Sequence, residues 1–371
     1  MIDRKVLQNL SRRTGIRAEL LEKDYVMNLL LDAIANCPSA RNKIFLKGGA
    51  AIYKCYNFHD NTPPNKKTPS PLLLNMRFTD DLDFTVTPDL MSEEKLHTVF
   101  NEIAQYLLER HGLVINQFSF PIHSNKKQMF DGHEKRNCRG FIHFEGPMFN
   151  PRFNSPTLKM DITSDEHIAF SPYLLPIKHP YPTRSDEQPL FAQTYTFRDI
   201  LAEKIRALFE RVSVRDLYDC LFLIQHPHMD DVRKTGIGVA LIDKLKARNL
   251  SPQVSWTLFT RRVDENNTPI DIRNEFQSQW ESTLSRQIVH VPPFDIAWER
   301  TTYLIEFARE CLTLAKARIT DLKRKNPDQD IHVIIDNLIV EQRNNEIKTI
   351  NRQVNQTLNS MQSKQTNNQK D

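Results

Sequence analysis

The chain lacks a paired cysteine motif, a long apolar run and a large excess of charge of either sign. Its five cysteines are odd in number and scattered: Cys37, Cys55, Cys138, Cys220 and Cys311. This pattern argues against a disulfide framework or a structural zinc site and fits a reducing compartment. No apolar segment approaches membrane-spanning length, and no secretory leader is recognisable. We therefore expect a soluble, cytoplasmic protein that does not bind a membrane.

Two further absences narrow the chemistry. The sequence contains neither G-x-S-x-G nor H-E-x-x-H, and His133-Glu134, His226 and His228 lack metal-ligand spacing, so we interpret them as surface or loop residues. A net charge of only +4 excludes a polycation. It leaves room for a local basic patch that attracts nucleic acid.

The length and composition predict more than one domain. A chain of 371 residues with 39% apolar and 26% charged residues suits about two globular domains. Strands alternate with helices up to about residue 225, which predicts a mixed α and β domain over 1–225. The polar, helical pattern that follows predicts a helical domain over 226–350. The Gln-, Asn- and Lys-rich end predicts a disordered tail over 351–371.

Hydrophobic periodicity and capping residues predict the main elements. A Pro-, Asn- and Lys-rich loop is expected over 57–72. We expect helices at 16–35, 50–56, 92–111 (begun by Ser92 and stopped by Gly112), 196–211, 214–224 and 297–322, and strands at 43–47, 78–86, 140–145 and 157–163.

The strand that includes Asp81 and Asp83 is the most informative segment. Its alternation places Thr79, Asp81 and Asp83 on one face, and Asp80 falls with the hydrophobic residues, so it receives no metal role. Two carboxylates side by side repel each other unless a cation lies between them, and Mg²⁺ prefers such oxygen ligands. A D-x-D pair alone is weak evidence for a metal, because two charges on a solvated strand face are the more common explanation.

Other residues around this strand strengthen the metal interpretation. Gly48-Gly49 lies at a strand-to-helix turn, where backbone N–H groups can approach a phosphate, although paired glycines often form only a turn. Asp161 lies on the polar side of its strand and is either a third carboxylate of one site or an exposed charge. Lys204 lies in the apolar stripe of its helix, where a lysine snorkels, pairs with a buried acid or reaches an anion.

Asp216 and Asp219 are one helical turn apart and face the same way. Arg211 and Arg215 are close in sequence, so ion pairing is a substantial alternative to a role in binding a ligand.

The motifs together, in this order, resemble the AbiEii/AbiGii toxin family of nucleotidyltransferase-like proteins, related to the MenT toxins. The similarity covers about residues 16–225. It rests on Glu22-Lys-Asp-Tyr-Val26, Leu46-Lys-Gly-Gly-Ala-Ala51, Arg77-Phe-Thr-Asp-Asp-Leu-Asp-Phe84, Leu158-Lys-Met-Asp-Ile162, Leu201-Ala-Glu-Lys-Ile-Arg-Ala-Leu208 and Arg215-Asp-Leu-Tyr-Asp219.

The resemblance implies an α+β fold, in which a polymerase-beta-like nucleotidyltransferase core with a mixed sheet flanked by helices precedes a mainly helical C-terminal domain. It implies that a nucleoside monophosphate is transferred from an NTP to an acceptor hydroxyl, as related toxins do at tRNA 3′ ends. A cognate antitoxin and a role in abortive infection of phage-infected cells belong to the same expectation. The implied residues are Asp81, Asp83 and Asp161 for Mg²⁺ and catalysis, Lys204 for catalysis and phosphate contact, and Gly48, Gly49, Thr79, Asp216 and Asp219 for nucleotide binding.

Two other function classes remain open on the sequence. One is a nucleotide-binding, antitoxin-interacting module with little catalytic activity; the retained acids and Lys204 argue against it. The other is a metal-dependent nuclease or a sugar transferase that uses the D-x-D pair. Neither of these enzymes requires Lys204 or the Gly48-Gly49 turn.

Overall fold

The fold is taken from a computed structural model of the chain. It describes residues 1–56, 77–79, 81–130, 133–152, 155–182, 188–226, 229–251, 262–263, 269–288, 290–325 and isolated positions beyond 325. The predicted 57–72 loop, Asp80, His228 and the predicted 351–371 tail lie outside the described residues. The domain boundaries at 225 and 350 stay a prediction.

Nine α-helices, one 3₁₀ helix (Pro88–Leu90) and ten strands have their bounds in the described part of the chain. The helices are α1 (Arg4–Thr14), α2 (Ala18–Asn36), α3 (Gly48–Cys55), α4 (Glu93–His111), α5 (Phe197–Glu210), α6 (Val214–Leu223), α7 (Asp231–Ala247), α8 (Ile272–Leu284) and α9 (Phe294–Lys325). The strands are β1 (Ile44–Lys47), β2 (Asp81–Val86), β3 (Val114–Ser119), β4 (Ile122–Phe130), β5 (His133–Glu145), β6 (Thr157–Thr163), β7 (Tyr173–Pro176), β8 (Phe191–Thr194), β9 (Arg262–Val263) and β10 (Pro269–Ile270).

One mixed sheet forms the centre of the fold. Its order is β3-β5-β6-β2-β1-β8-β7, with β4 paired to β5. β2 is antiparallel to β1 and parallel to β6. The predicted α+β class, a mixed sheet flanked by helices and followed by helices, is therefore confirmed.

Alternating strands and capped helices follow the sequence signals closely. In β6, Leu158, Met160 and Ile162 are buried, as a strand with one face on a core requires. Ser92 accepts a hydrogen bond from Lys95 N at the start of α4. Gly112 ends the same helix with φ +64°, where only glycine is unstrained.

The helices bury the sheet and one another. α2 packs on β8, α4 and α1, and its residues from Tyr25 to Ala35 are all buried, which makes it a core helix. Towards the C-terminus, α7 packs between α5 and α9, while α8 packs on α6. The C-terminal helices therefore support the two helices that follow the sheet. None of the described helices is long and apolar enough to cross a bilayer, and the five cysteines are free thiols.

Candidate active site

A row of four charged side chains crosses the centre of the sheet. Strand register pairs Lys47 of β1 with Asp83 of β2, Asp83 with Asp161 of β6, and Asp161 with Arg139 of β5. Residues paired across neighbouring strands point to the same face of a sheet. Two adjacent carboxylates are therefore flanked by one cation on each side.

Asp83 is the carboxylate most affected by its surroundings. Burial raises the pKa of its side chain above the ordinary value for aspartate; Lys47 and Lys204 oppose that shift, and Asp161 adds to it. Asp161 differs, since its side chain is 58% exposed and its Oδ1 lies 3.3 Å from Nε of Arg139. The surroundings of Asp83 disfavour the charged form of its carboxyl, and a bound cation would favour it.

The Gly48-Gly49 turn lies directly against this carboxylate. Gly48 follows β1 as the first residue of α3, with φ +65°, and a Cβ at this position would lie 2.3 Å from Oδ2 of Asp83. A Cβ at Gly49 would lie 2.3 Å from Nη2 of Arg77. Gly48 thus suits both the turn and the close approach of α3 to Asp83, and Gly49 leaves room for the guanidinium of Arg77.

Lys204 projects from α5 between two aspartates of α6. Its Nζ lies 2.6 Å from Oδ1 of Asp216 and 2.9 Å from Oδ2 of Asp219, and the side chain is buried. Burial alone lowers a lysine pKa, but the two carboxylates outweigh it and hold the pKa of Lys204 above its ordinary value. The lysine is therefore charged and fixed in place.

Two arginines complete this network. Arg77 forms a bidentate pair with Asp219, with its Nε and Nη2 each 2.7 Å from a carboxylate oxygen. Arg211 donates to Oδ2 of Asp216 over 3.1 and 2.8 Å. Burial raises the pKa of both carboxyl groups, yet the cations hold the pKa of each below its usual range. Three cations thus share two acids, which leaves a net positive charge.

Lys47 belongs to a second charged group on α5 and α7. Its Nζ lies 3.6 Å from Oε1 of Glu203. The other oxygen of that carboxylate, Oε2, lies 3.6 Å from Nζ of Lys244. Burial lowers the pKa of Lys47, but Glu203 and other nearby carboxylates, Asp83 among them, outweigh it and raise that pKa. The lysine is thus held charged beside the strand acids.

Thr79 lies two positions before Asp81, the first residue of β2. Its side chain is buried, and its hydroxyl donates to the carbonyl oxygen of Asp81 over 3.4 Å. Asp81 is partly buried and has Lys159 as its partner on β6. By strand alternation, Asp81 lies on the same face of β2 as Asp83.

Comparison with known families and structures identifies the chain. It matches the family described as nucleotidyl transferase AbiEii toxin, type IV TA system, over residues 29–300, which is more than half of its length. The chain belongs to the AbiEii family. No curated protein matches it. Among solved structures it is similar to MenT4, a nucleotidyltransferase toxin from Mycobacterium tuberculosis H37Rv, with a TM-score of 0.50, 14% identity and coverage of 92% of this chain and 100% of that one.

Membership of the AbiEii family agrees with the predicted enzyme class: the protein is a nucleotidyltransferase of a type IV toxin–antitoxin family. At 14% identity, the MenT4 structure supports the fold alone.

The donor set of this AbiEii protein suits a hard divalent cation. Asp81, Asp83 and Asp161 offer only carboxylate oxygens, the ligands of Mg²⁺, which needs one or two carboxylates plus substrate phosphates. Within the described residues, no three side chains of His, Cys, Asp or Glu are grouped closely enough to hold a metal ion. Asp81 and Asp83 alternate along β2, and Asp161 is paired with Asp83 in the sheet, so the three carboxylates share one face.

Sequence reasoning placed the acids but missed their partners. Lys47 and Arg139 became visible only through strand register, since neither is near Asp83 or Asp161 in sequence. Arg77 was part of a quoted motif, but nothing in the sequence paired it with Asp219 across 142 positions. The sequence left open whether Asp216 and Asp219 form ion pairs or bind a ligand. In the structure both form ion pairs.

Proposed function

We propose that this AbiEii protein is a Mg²⁺-dependent nucleotidyltransferase that moves a nucleoside monophosphate from an NTP to the 3′ hydroxyl of a tRNA: the hydroxyl oxygen bonds to the α-phosphorus, the bond from that phosphorus to the α,β-bridging oxygen breaks, and pyrophosphate leaves. The proposal includes a cytoplasmic location, a role in phage defence and a cognate antitoxin. The observation that carries it is the placement of Asp83 between Lys47 and Asp161, with Gly48 packed against its carboxylate. An acidic centre with an adjacent glycine turn suits a metal and a phosphate together.

The roles of the residues follow from this placement. Asp81 and Asp83 would hold Mg²⁺, and Asp161 would complete the site or accept the proton of the attacking hydroxyl. The ion would neutralise charge on the transferred phosphate. Lys204 and the backbone N–H groups of Gly48 and Gly49 would face phosphate oxygens. Such transfer depends mainly on positioning and charge neutralisation.

Thr79, Asp216 and Asp219 have supporting roles in this proposal. Thr79 would contact the triphosphate through its hydroxyl. Asp216 and Asp219 would act on the nucleotide through Lys204, because their carboxylates are already engaged by cations. They are therefore positioning residues for the phosphate contact.

The test uses the purified full chain with Mg²⁺, each labelled NTP and total tRNA. We expect label on RNA 3′ ends, lost in Asp83→Ala and on removal of Mg²⁺ with EDTA. Asp89→Ala is the matched control, because Asp89 is an exposed aspartate near β2 whose ion pair in the described part of the chain is with Lys43, outside the proposed site. Shortened RNA would indicate a nuclease instead. NTP binding without transfer to any acceptor would favour a binding module.

A further inference from the structure

A basic cavity lies beside the proposed active site. Its volume is about 730 Å³, within the range of ligand-binding cavities. It lies between the start of α2, the segment before β2, the start of α6 and the end of α8. Its lining comprises Arg17, Leu20, Phe78, Arg215, Ser282, Thr283, Arg286 and Gln287.

Three arginines give the cavity its charge. Arg17, Arg215 and Arg286 come from three separate elements, all three are exposed, and the lining contains no acid. Within the described part of the chain, none of the three has a carboxylate at ion-pair distance, in contrast to Arg77 and Arg211 nearby, which do. The cavity therefore presents uncompensated positive charge from several directions.

The cavity shares its wall with the network around Lys204. Phe78 N donates to the carbonyl oxygen of Gln287 over 2.8 Å, and Nη1 of Arg77 lies 3.3 Å from Oε1 of Gln287. Arg215 immediately precedes Asp216 on α6. A molecule bound in the cavity would therefore lie next to the strand that carries Asp81 and Asp83.

We infer that this cavity binds the sugar–phosphate backbone of the acceptor RNA near its 3′ end. Positive charges on separate elements suit successive phosphates of a strand, and Ser282, Thr283 and Gln287 offer further hydrogen bonds of the kind made to phosphate and sugar. A triphosphate carried with Mg²⁺ requires carboxylates, which this lining lacks. The inference rests on the proposed function, because it supplies the acceptor for that reaction.

The experiment compares binding of a fluorescent single-stranded RNA with a free 3′ hydroxyl, measured by anisotropy over a range of salt concentrations. The variants are the full-length triple variant Arg17→Glu/Arg215→Glu/Arg286→Glu and the matching triple Arg→Lys variant. We expect the Glu variant to bind at least about tenfold more weakly. On a single strand, each phosphate contact makes the slope of log K against log salt steeper by about 0.7, so the loss of three contacts should make the slope shallower by about 2. The Lys variant should keep most of the affinity.

Arg41→Glu/Arg152→Glu provides the control, because both arginines are exposed and neither lines the cavity. NTP affinity is measured in parallel by calorimetry and should be unchanged in the Glu variant. Three results in the Glu variant would each overturn the inference. They are an unchanged affinity for RNA, a lost affinity for NTP, and a lost affinity for an antitoxin with no change in RNA binding. Absence of RNA binding by the parent chain would also overturn it.

The two proposals fail in different ways. If the parent chain transfers a nucleotide to RNA and the Glu variant keeps the parental KM for RNA, the cavity inference fails and the proposed function stands. If the parent chain binds RNA through these arginines but transfers nothing, the proposed function fails.

Discussion

Gly48 is subject to two separate constraints. Its φ of +65° strains any residue with a side chain, and a Cβ there would meet the carboxylate of Asp83. We expect Gly48→Ala to lose about 1–2 kcal/mol of unfolding free energy from backbone strain and to lose at least about tenfold in transfer rate. The measurements are urea denaturation and initial rates with labelled NTP.

Gly112 separates these two effects. Its φ is +64°, yet nothing lies within 4 Å of a Cβ at that position. Gly112→Ala should therefore show a similar loss of stability with the parental transfer rate. A Gly48→Ala protein that loses stability but keeps full activity would show that the close approach of Gly48 to the Asp83 carboxylate is not needed for transfer.

We expect the protonation of the Asp83 carboxyl to determine the pH below which kcat/KM falls. Because burial raises the pKa of its carboxyl, the form that can hold a metal is lost at a higher pH than for an ordinary aspartate. Lys47 lowers that pKa, so Lys47→Met should move the acid limb of kcat/KM to still higher pH. The measurement is a pH–rate profile at fixed Mg²⁺.

Lys43→Met is the control for Lys47→Met. Lys43 is 42% exposed and pairs with the exposed Asp89, which has no role in the proposed site, so the acid limb should stay at the parental pH. A limb that does not respond to Lys47→Met would show that another group controls the profile.

Helix α5 holds both Glu203 and Lys204, so its first turn affects two charged groups. Thr196 Oγ1 accepts from Asp199 N, and the Asp199 carboxylate accepts from the backbone N–H groups of Ala169 and Phe170. We expect Thr196→Ala to lose about 1–2 kcal/mol of unfolding free energy and to raise the KM for NTP as Lys204 loses its position. Thermal unfolding and steady-state kinetics test this.

The cap of α4 provides a comparison of the same kind. Ser92 caps that helix, which carries no residue of the proposed site. Ser92→Ala should lower stability by up to about 1 kcal/mol and leave the KM for NTP unchanged. If both variants changed KM equally, the effect of Thr196 would be general loosening of the fold.

Helix and strand identity followed from the sequence wherever the local pattern was strong. The limits of α4, α5 and β6 agree with those expected from Ser92, Thr196 and the alternation from Leu158 to Ile162. Strands β3, β4, β7, β8, β9 and β10 were not predicted. For β7 and β8 the reason is length, because four residues are too few to show a period. Helices α1, α7 and α8 were also not predicted individually.

Part of the candidate site could be predicted from the sequence, and the reason is physical. Acids that alternate along one strand reveal their common face, so Asp81 and Asp83 could be identified from sequence alone. The neighbour of each acid depends on strand order and register, which no local pattern contains. Lys47, Arg139 and the three cavity arginines therefore emerged only when the fold was known.

Ion pairs around Lys204 join distant parts of the fold. Arg77 precedes β2, Lys204 lies on α5, and Asp219 lies on α6. Asp219→Ala would leave two buried cations short of a partner, so we expect a loss of about 3–5 kcal/mol in unfolding free energy. Urea denaturation measures it. Asp161→Ala, which breaks an exposed pair, should lose no more than about 1 kcal/mol.

The same network should define a pH window for stability. The pKa of Asp216 and that of Asp219 are lowered in the folded state, so their contribution is present above the unfolded aspartate pKa of about 3.9 and is lost as pH falls through the folded values. Lys204 has a raised pKa, so its contribution is present below about pH 10.4 and is lost as pH rises through the folded value. Unfolding free energy in the parent chain should fall outside this window more steeply than in Asp219→Ala.

The two aspartates that hold Lys204 also limit its hydrogen-bonding valence. An ammonium group has three N–H bonds, and two of them point at Asp216 and Asp219. The tetrahedral nitrogen therefore directs one remaining proton along a single fixed line. A phosphate that contacts Lys204 can therefore accept this hydrogen bond through one oxygen and from one direction, so the lysine fixes the orientation of that phosphate. The planar fork of an arginine could not reproduce that geometry.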